Sequence, residues 1–222
     1  MFETAKSVLL ILSALFPIVD PMGGSPIFLA LTKDYSALER RALAWRIAIN
    51  SFFLLMGSYL VGTHVLSFFG ISIPVVQVGG GLLVASTGWA MLSRPYEDDG
   101  ERVQTHQQMK SKDPMRHAFY PLTLPLTVGP GSISVAITLG ANNPHPHGIH
   151  ALAFLAALIG SVLIAVSIFL CYGFAAGLAR VLGPTGMTVI MQLSSFLLVC
   201  IGVQIFWNGA SALLASVLNA AH

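Results

Sequence analysis

Two clusters of proline and glycine interrupt otherwise apolar stretches of this sequence, and one cluster contains an acid. The first reads Pro17-Ile18-Val19-Asp20-Pro21-Met22-Gly23-Gly24-Ser25-Pro26, and the second runs from Pro121 to Ser132. Each proline removes a backbone N–H and clashes with the preceding turn, so a helix with such a cluster releases amides and carbonyls from its hydrogen-bond ladder. Within a membrane these freed groups are tolerated where protein buries them or where they line a polar cavity.

The residues of the two clusters that predict substrate binding have either a polar side chain or no side chain. They are Asp20, Gly23, Gly24, Ser25, Thr127, Gly129, Gly131 and Ser132. The N-terminus of a half-helix attracts an anionic group, and glycine lets the backbone approach that group closely. The alternative is a pair of kinked helices that pack through small residues.

Asp20 is the only acidic residue predicted within the hydrocarbon depth. An unpaired carboxylate costs at least ~2.5 kcal/mol there, so an intramembrane acid indicates function. The Asp20 carboxylate could accept a proton, bind Na⁺ or pair with a substrate ammonium group. Asp20 also suits the N-cap of a half-helix that begins after Pro21. The two roles are compatible, and both stay open.

Other polar or small residues give weaker indications. Gln77 and Gln192 lie within apolar helices, where they either line a cavity or only bridge helices. A packing face is predicted at Gly79-Gly80-Gly81 and Gly88. Histidines occur at His145, His147 and His150, but proline-rich loops often carry histidine without binding anything, so we predict no metal site and no cofactor.

The composition places both clusters in a membrane protein. Of the 222 residues, 55% are hydrophobic and only 9% are charged, whereas about a quarter of a soluble domain is charged. No Asp, Glu, Lys or Arg occurs at 47–93, 117–179 or 181–222. A membrane helix needs about 20 apolar residues, so each run is long enough for more than one. The net charge of +2 and the absence of a basic stripe exclude a nucleic-acid partner.

Turn residues and charges divide the apolar sequence into six transmembrane helices. They are predicted at residues 7–31, 42–69, 73–93, 117–141, 149–178 and 187–218. The first and fourth helices contain the two clusters and are therefore predicted to be discontinuous. The sequence thus predicts an all-α integral membrane protein.

The sequence also aligns weakly with itself. A shift of 109 residues places Asp20 on Gly129, and a shift of 115 places Gln77 on Gln192. Three helices form each repeat, and an odd unit duplicated in tandem enters the membrane with opposite orientation. The sequence therefore predicts two inverted three-helix repeats, which are typical of secondary transporters.

The repeats define the predicted domain organisation. Residues 1–93 form the first three-helix repeat, residues 94–116 a charged cytoplasmic loop, and residues 117–222 the second three-helix repeat. Ten of the 20 formal charges fall in the loop.

The positions of lysine and arginine predict the orientation, because positive residues near helix ends stay on the cytoplasmic side. Ten of the eleven flank the first, third and fifth loops, and only Lys6 lies on the other side. We therefore expect both termini to be external.

The chain resembles the MarC family of bacterial inner-membrane proteins. The resemblance rests on Asp20-Pro21-Met22-Gly23-Gly24-Ser25-Pro26-Ile27-Phe28, on Gly70-Ile71-Ser72-Ile73-Pro74, on Pro121-Leu122-Thr123-Leu124-Pro125 with Gly129-Pro130-Gly131, and on Phe196-Leu197-Leu198-Val199-Cys200-Ile201-Gly202-Val203-Gln204. It implies an inner-membrane location and, through the related archaeal SnatA branch, transport of glycine and other small neutral amino acids. Members commonly carry Arg where this chain has Gln192, and some carry Asn in place of Asp20.

Together the residues and the resemblance predict a transporter of a small solute, most simply a small zwitterion. The predicted mechanism is alternating access coupled to H⁺ or Na⁺. The alternatives are an efflux protein for drugs or metabolites and a non-transporting membrane protein. An enzyme is not predicted, because the sequence has no H-E-x-x-H, G-x-S-x-G or Walker A motif. The expected partners are the substrate and the lipid bilayer, and an oligomer is compatible with the sequence.

The predicted orientation is testable with Ser111→Cys in a Cys171→Ser/Cys200→Ser background. Because residue 111 lies in the predicted cytoplasmic loop, an impermeant thiol reagent should leave it unlabelled in intact cells and label it after permeabilisation. Labelling of intact cells would reverse the orientation.

Overall fold

A computed structural model describes residues 2–93, 117–141 and 150–220, and the regular elements within these ranges are all helices. They are α1 (Phe2–Val19), α2 (Pro21–Leu31), α3 (Ala37–Phe68), α4 (Ile73–Ser93), α5 (Ala118–Thr127), α6 (Pro130–Ala141), α7 (His150–Gly173) and α8 (Ala175–Ala220). The predicted charged loop at 94–116 lies outside the described residues, as do His145 and His147.

The described helices confirm an all-α protein built for a membrane. Five segments are long and apolar enough to cross a bilayer: α1 with α2, then α3, α4, α7 and α8. Helices α5 and α6 are bent by 70° relative to each other, and if the pair is counted as one membrane crossing, the number of crossing segments rises to six. Large apolar side chains cover the outer surface, among them Leu9, Phe53 and Trp207, each at least 60% exposed. Such a surface suits contact with lipid.

Local signals explain where the helices start. Helix α3 begins before the predicted residue 42 because Ser36 and Glu39 form a capping box. The Ser36 hydroxyl accepts a hydrogen bond from the Glu39 amide at 3.3 Å, and the Glu39 carboxylate accepts one from the Ser36 amide at 2.7 Å. Two otherwise unpaired donors are thereby satisfied. Between α3 and α4 the chain turns at Gly70, whose φ of 68° suits a residue without a side chain.

The junction between the last two helices differs in part from the prediction. The sequence places the end of the fifth helix at residue 178 and the start of the sixth at residue 187, whereas α7 ends at Gly173 and α8 begins at Ala175. The predicted interruption between residues 178 and 187 is present at Gly183, whose φ of 67° and ψ of 176° are non-helical and which is followed by Pro184, so α8 consists of two helical parts. A single left-handed glycine before a proline redirects the chain, and helical hydrogen bonding resumes without a loop.

The helices of the two halves pack in reciprocal pairs. Helix α4 packs on α8, and α3 packs on α7. Helix α1 of the first half packs on α7, just as α5 of the second half packs on α3. Likewise, α2 packs on α8, and α6 packs on α4. In addition, α2 begins at Pro21 and α6 at Pro130, which are 109 residues apart, the first offset of the predicted repeat. Exchanging the two halves therefore leaves this set of contacts unchanged.

Glycines bring the backbones of α4 and α8 together. A Cβ atom on Gly88 would lie 2.8 Å from the Val199 nitrogen, and one on Gly209 would lie 2.6 Å from the Pro74 oxygen. Close contacts through small residues are a main source of helix association in membranes. The predicted packing face is thus present at Gly88, but Gly79 has no atom within 4 Å of its added Cβ.

We predict that Gly81→Ala destabilises the protein by roughly 1–3 kcal/mol, as overpacking does in well-packed interiors. Its methyl group would contact the Phe206 nitrogen and lie 2.6 Å from the Gly202 oxygen, and backbone atoms cannot rotate away. Thermal unfolding in detergent measures the loss. Gly79→Ala is the matched control and should unfold at or above the original temperature. Equal losses in both variants would contradict backbone contact at Gly81.

Candidate functional site

The first helix break is centred on Asp20, between α1 and α2. Its φ of 42° and ψ of 63° lie in the left-handed region, and no other described non-glycine residue has a positive φ. Aspartate tolerates this conformation better than most residues. Its Oδ1 accepts a hydrogen bond from the Gly23 amide at 3.0 Å. The predicted N-cap of α2 is therefore present.

The second carboxylate oxygen of Asp20 has a different environment. Oδ2 is buried, makes no hydrogen bond of good geometry to the residues that the structure describes, and lies beside the Ser194 side chain of α8. A buried oxygen without a donor is costly, and more so when it is charged. Capping thus occupies one oxygen of Asp20, and the other is buried beside Ser194.

The second helix break lies between α5 and α6 and has no equivalent cap. Gly129 stands 109 residues after Asp20 and offers no side-chain acceptor. The Ser132 hydroxyl donates to the Gly129 carbonyl at 3.1 Å, and the Ile133 amide donates to the same carbonyl at 3.2 Å. Within the described ranges, the Gly131 and Ser132 amides have no hydrogen-bond partner. The N-terminus of α6 therefore presents free donors.

A cavity of about 380 Å³ joins the two breaks. Six of the eight predicted substrate-binding residues line it: Asp20, Gly24, Thr127, Gly129, Gly131 and Ser132. This volume is within the range of small-molecule sites. The cavity thus combines a carboxylate and uncapped amides from the two halves of the chain.

The remaining predicted residues lie elsewhere. The Gly23 amide is used by the cap, and Ser25 is fully buried, with its hydroxyl donating to the Met22 carbonyl at 2.8 Å. Neither glutamine lines this cavity: Gln77 is half-buried beside Gly209, and Gln192 is exposed on α8.

Tyr172 of α7 lies behind the cavity and was not predicted from the sequence. Its ring stacks on Phe28 with centroids 4.7 Å apart, and its hydroxyl is 3.1 Å from Thr127 Oγ1. Because Thr127 donates to the Leu122 carbonyl at 2.7 Å, Tyr172 is the donor to Thr127. A Cβ on Gly24 would lie 2.5 Å from the Tyr172 oxygen. Tyr172 therefore braces α2 and α5 on either side of the cavity.

Apolar residues of α4 and α8 complete the cavity wall. Leu83, Val84 and Leu198 line it, with Thr87 as the polar exception on α4. Leu83 and Leu198 are 115 residues apart, which is the second offset of the predicted repeat. The wall offers apolar contact to a ligand whose polar ends meet the two helix breaks.

We predict different outcomes for two glycines of the second break. A methyl on Gly131 would contact the Val84 side chain, so Gly131→Ala should lower stability by roughly 1–3 kcal/mol. A methyl on Gly129 would meet only the Pro125 oxygen, at 3.3 Å, so Gly129→Ala should cost less than about 1 kcal/mol. Thermal unfolding in detergent compares them. A larger loss for Gly129→Ala would contradict the described packing.

The chain is similar in sequence to known integral membrane proteins. A family model described as a MarC family integral membrane protein matches residues 5–214. The inner membrane protein MarC of Salmonella typhimurium is 30% identical over 215 residues, covering 94% of this chain and 96% of the relative. Its namesake from Escherichia coli is 31% identical over 213 residues with the same coverage. No solved structure matches the chain significantly.

Proposed function

This chain belongs to the MarC family of integral membrane proteins, and we propose that it transports a small solute across the bacterial inner membrane. The observation that carries the proposal is the cavity between two interrupted helices, with Asp20 on one and the uncapped start of α6 on the other. Irregular backbone inside a membrane persists where it lines such a cavity.

The proposed substrate is a small neutral amino acid such as glycine or alanine. Its ammonium group pairs with the Asp20 carboxylate, which lines the cavity, and its carboxylate accepts from the Gly131 and Ser132 amides. Leu83, Val84 and Leu198 leave room for a small apolar side chain. No aromatic ring lines the cavity within the described residues, which disfavours the alternative of a large hydrophobic drug.

Alternating access is the proposed mechanism, by movement of two inverted repeats about the cavity. The reciprocal helix pairs and the 109-residue offset between Pro21 and Pro130 support a two-fold relation between the halves. Transporters with such repeats hold their substrate at the repeat interface. A proton or Na⁺ at Asp20 would couple transport to an ion gradient, since an ammonium and a cation compete for the same oxygen.

Uptake into proteoliposomes tests this proposal. Purified protein is reconstituted, and radiolabelled glycine, alanine, leucine and glutamate are supplied with a pH gradient, a Na⁺ gradient or neither. Glycine and alanine should enter faster than into protein-free liposomes, and one of the two gradients should drive accumulation. Flux equal to protein-free liposomes for the whole panel would contradict the transporter proposal.

Asp20→Asn should reduce the uptake efficiency, kcat/KM, about tenfold or more, since a hydrogen bond to a charged group contributes about 1.5–3 kcal/mol. Asparagine tolerates the left-handed conformation and keeps an acceptor for the Gly23 amide, so the fold should persist. The matched control is Asp34→Asn, which removes an exposed acid outside the helices. Unchanged kinetics and pH dependence in Asp20→Asn would reduce Asp20 to a cap.

A further inference from the structure

A stripe of polar residues lies on the outer face of α8, away from the cavity. Cys200, Gln204, Asn208 and Ser211 are all exposed and follow each other at intervals of four, four and three residues. This spacing places them on one helix face. The opposite face is buried against the rest of the protein at Leu198, Gly202 and Gly209. The stripe is therefore turned away from the rest of the described chain.

The stripe has hydrogen-bonding capacity that the described chain leaves unused. Gln204 Nε2 donates to Asn208 Oδ1 at 2.9 Å, and the Ser211 hydroxyl donates to the Asn208 carbonyl at 3.0 Å. Within the described part of the chain, the side-chain oxygen of Gln204 (Oε1) and the side-chain nitrogen of Asn208 (Nδ2) have no hydrogen-bond partner. Exposed Val203 and Trp207 flank these groups with apolar surface.

The packing of α8 on α4 gives the depth of Gln204. A Cβ on Gly81 would lie 2.6 Å from the Gly202 oxygen and 2.8 Å from the Phe206 Cα, so Gly81 is level with Gln204. Gly81 lies two residues before the middle of the 21-residue helix α4, a distance of about 3 Å along its axis. If α4 crosses the membrane once, Gln204 is near mid-bilayer, where unpaired polar groups cost several kcal/mol.

We propose that the polar stripe is the face through which two copies of this chain associate in the membrane. A two-fold axis along the membrane normal keeps both copies in the same orientation and sets the stripe against itself. The unused Gln204 oxygen of each copy then faces the unused Asn208 amide of the other, so donors and acceptors are self-complementary. Lipid supplies neither donors nor acceptors at this depth.

The native Cys200 reports on this interface directly. In a Cys171→Ser background it is the sole cysteine, one helical turn from Gln204. In reconstituted membranes, copper phenanthroline or a short bis-thiol reagent should yield a covalent dimer. The control is Leu9→Cys in a Cys171→Ser/Cys200→Ser background: Leu9 is 65% exposed on α1 and should yield none. Monomers alone from Cys200 would overturn the proposal.

Leucine substitutions test whether the polar side chains of the stripe stabilise the association, which cross-linking alone does not show. Gln204→Leu/Asn208→Leu should lower the association constant about 3- to 30-fold, the range for interhelical hydrogen bonds in membranes. Energy transfer between donor- and acceptor-labelled copies, measured at a series of lipid dilutions, gives that constant. Gln192→Leu removes another exposed glutamine of α8, about a third of a turn around the helix from Gln204. It should associate normally. Undiminished association of the double variant, with normal thermal unfolding, would refute the role of the stripe.

Discussion

Backbone amides released inside a membrane need a partner, and the hydrogen bond from Gly23 to Asp20 supplies one at the first helix break. The second break has glycine at the matching place, so the Gly131 and Ser132 amides remain available. One break is closed by the chain itself and the other is open. This difference gives the cavity an acidic end and a donor end even though the helices that frame it are arranged alike.

Close packing keeps the two breaks in position. Gly88 and Gly209 hold α4 and α8 at backbone contact, and Tyr172 links Phe28 of the first half to Thr127 of the second. Small residues and buried hydroxyls such as that of Tyr172 therefore add close contacts and hydrogen bonds to the apolar packing, because lipid gives helices no hydrophobic reason to associate.

The helical class, the positions of both breaks and six residues of the cavity lining follow from the sequence, because proline, glycine and Asp20 mark where a helix cannot continue. The direction in which each side chain points does not follow from the sequence. In a membrane, both the lipid side and the packed side of a helix are apolar, so a glutamine such as Gln192 looks the same whichever way it points. Tyr172 could not be predicted for the same reason. It lies in a charge-free apolar run, and packing decides which side of that helix faces the cavity.

The left-handed backbone at Asp20 limits how this position can evolve. Among non-glycine residues, asparagine shares both the tolerance for that conformation and a capping oxygen, while glycine shares only the tolerance. In the genetic code, each is reached from an aspartate codon by a single nucleotide change. A change to asparagine therefore removes the charge and leaves the shape of the helix break intact, so the acidic end of the cavity can become neutral without a change of fold.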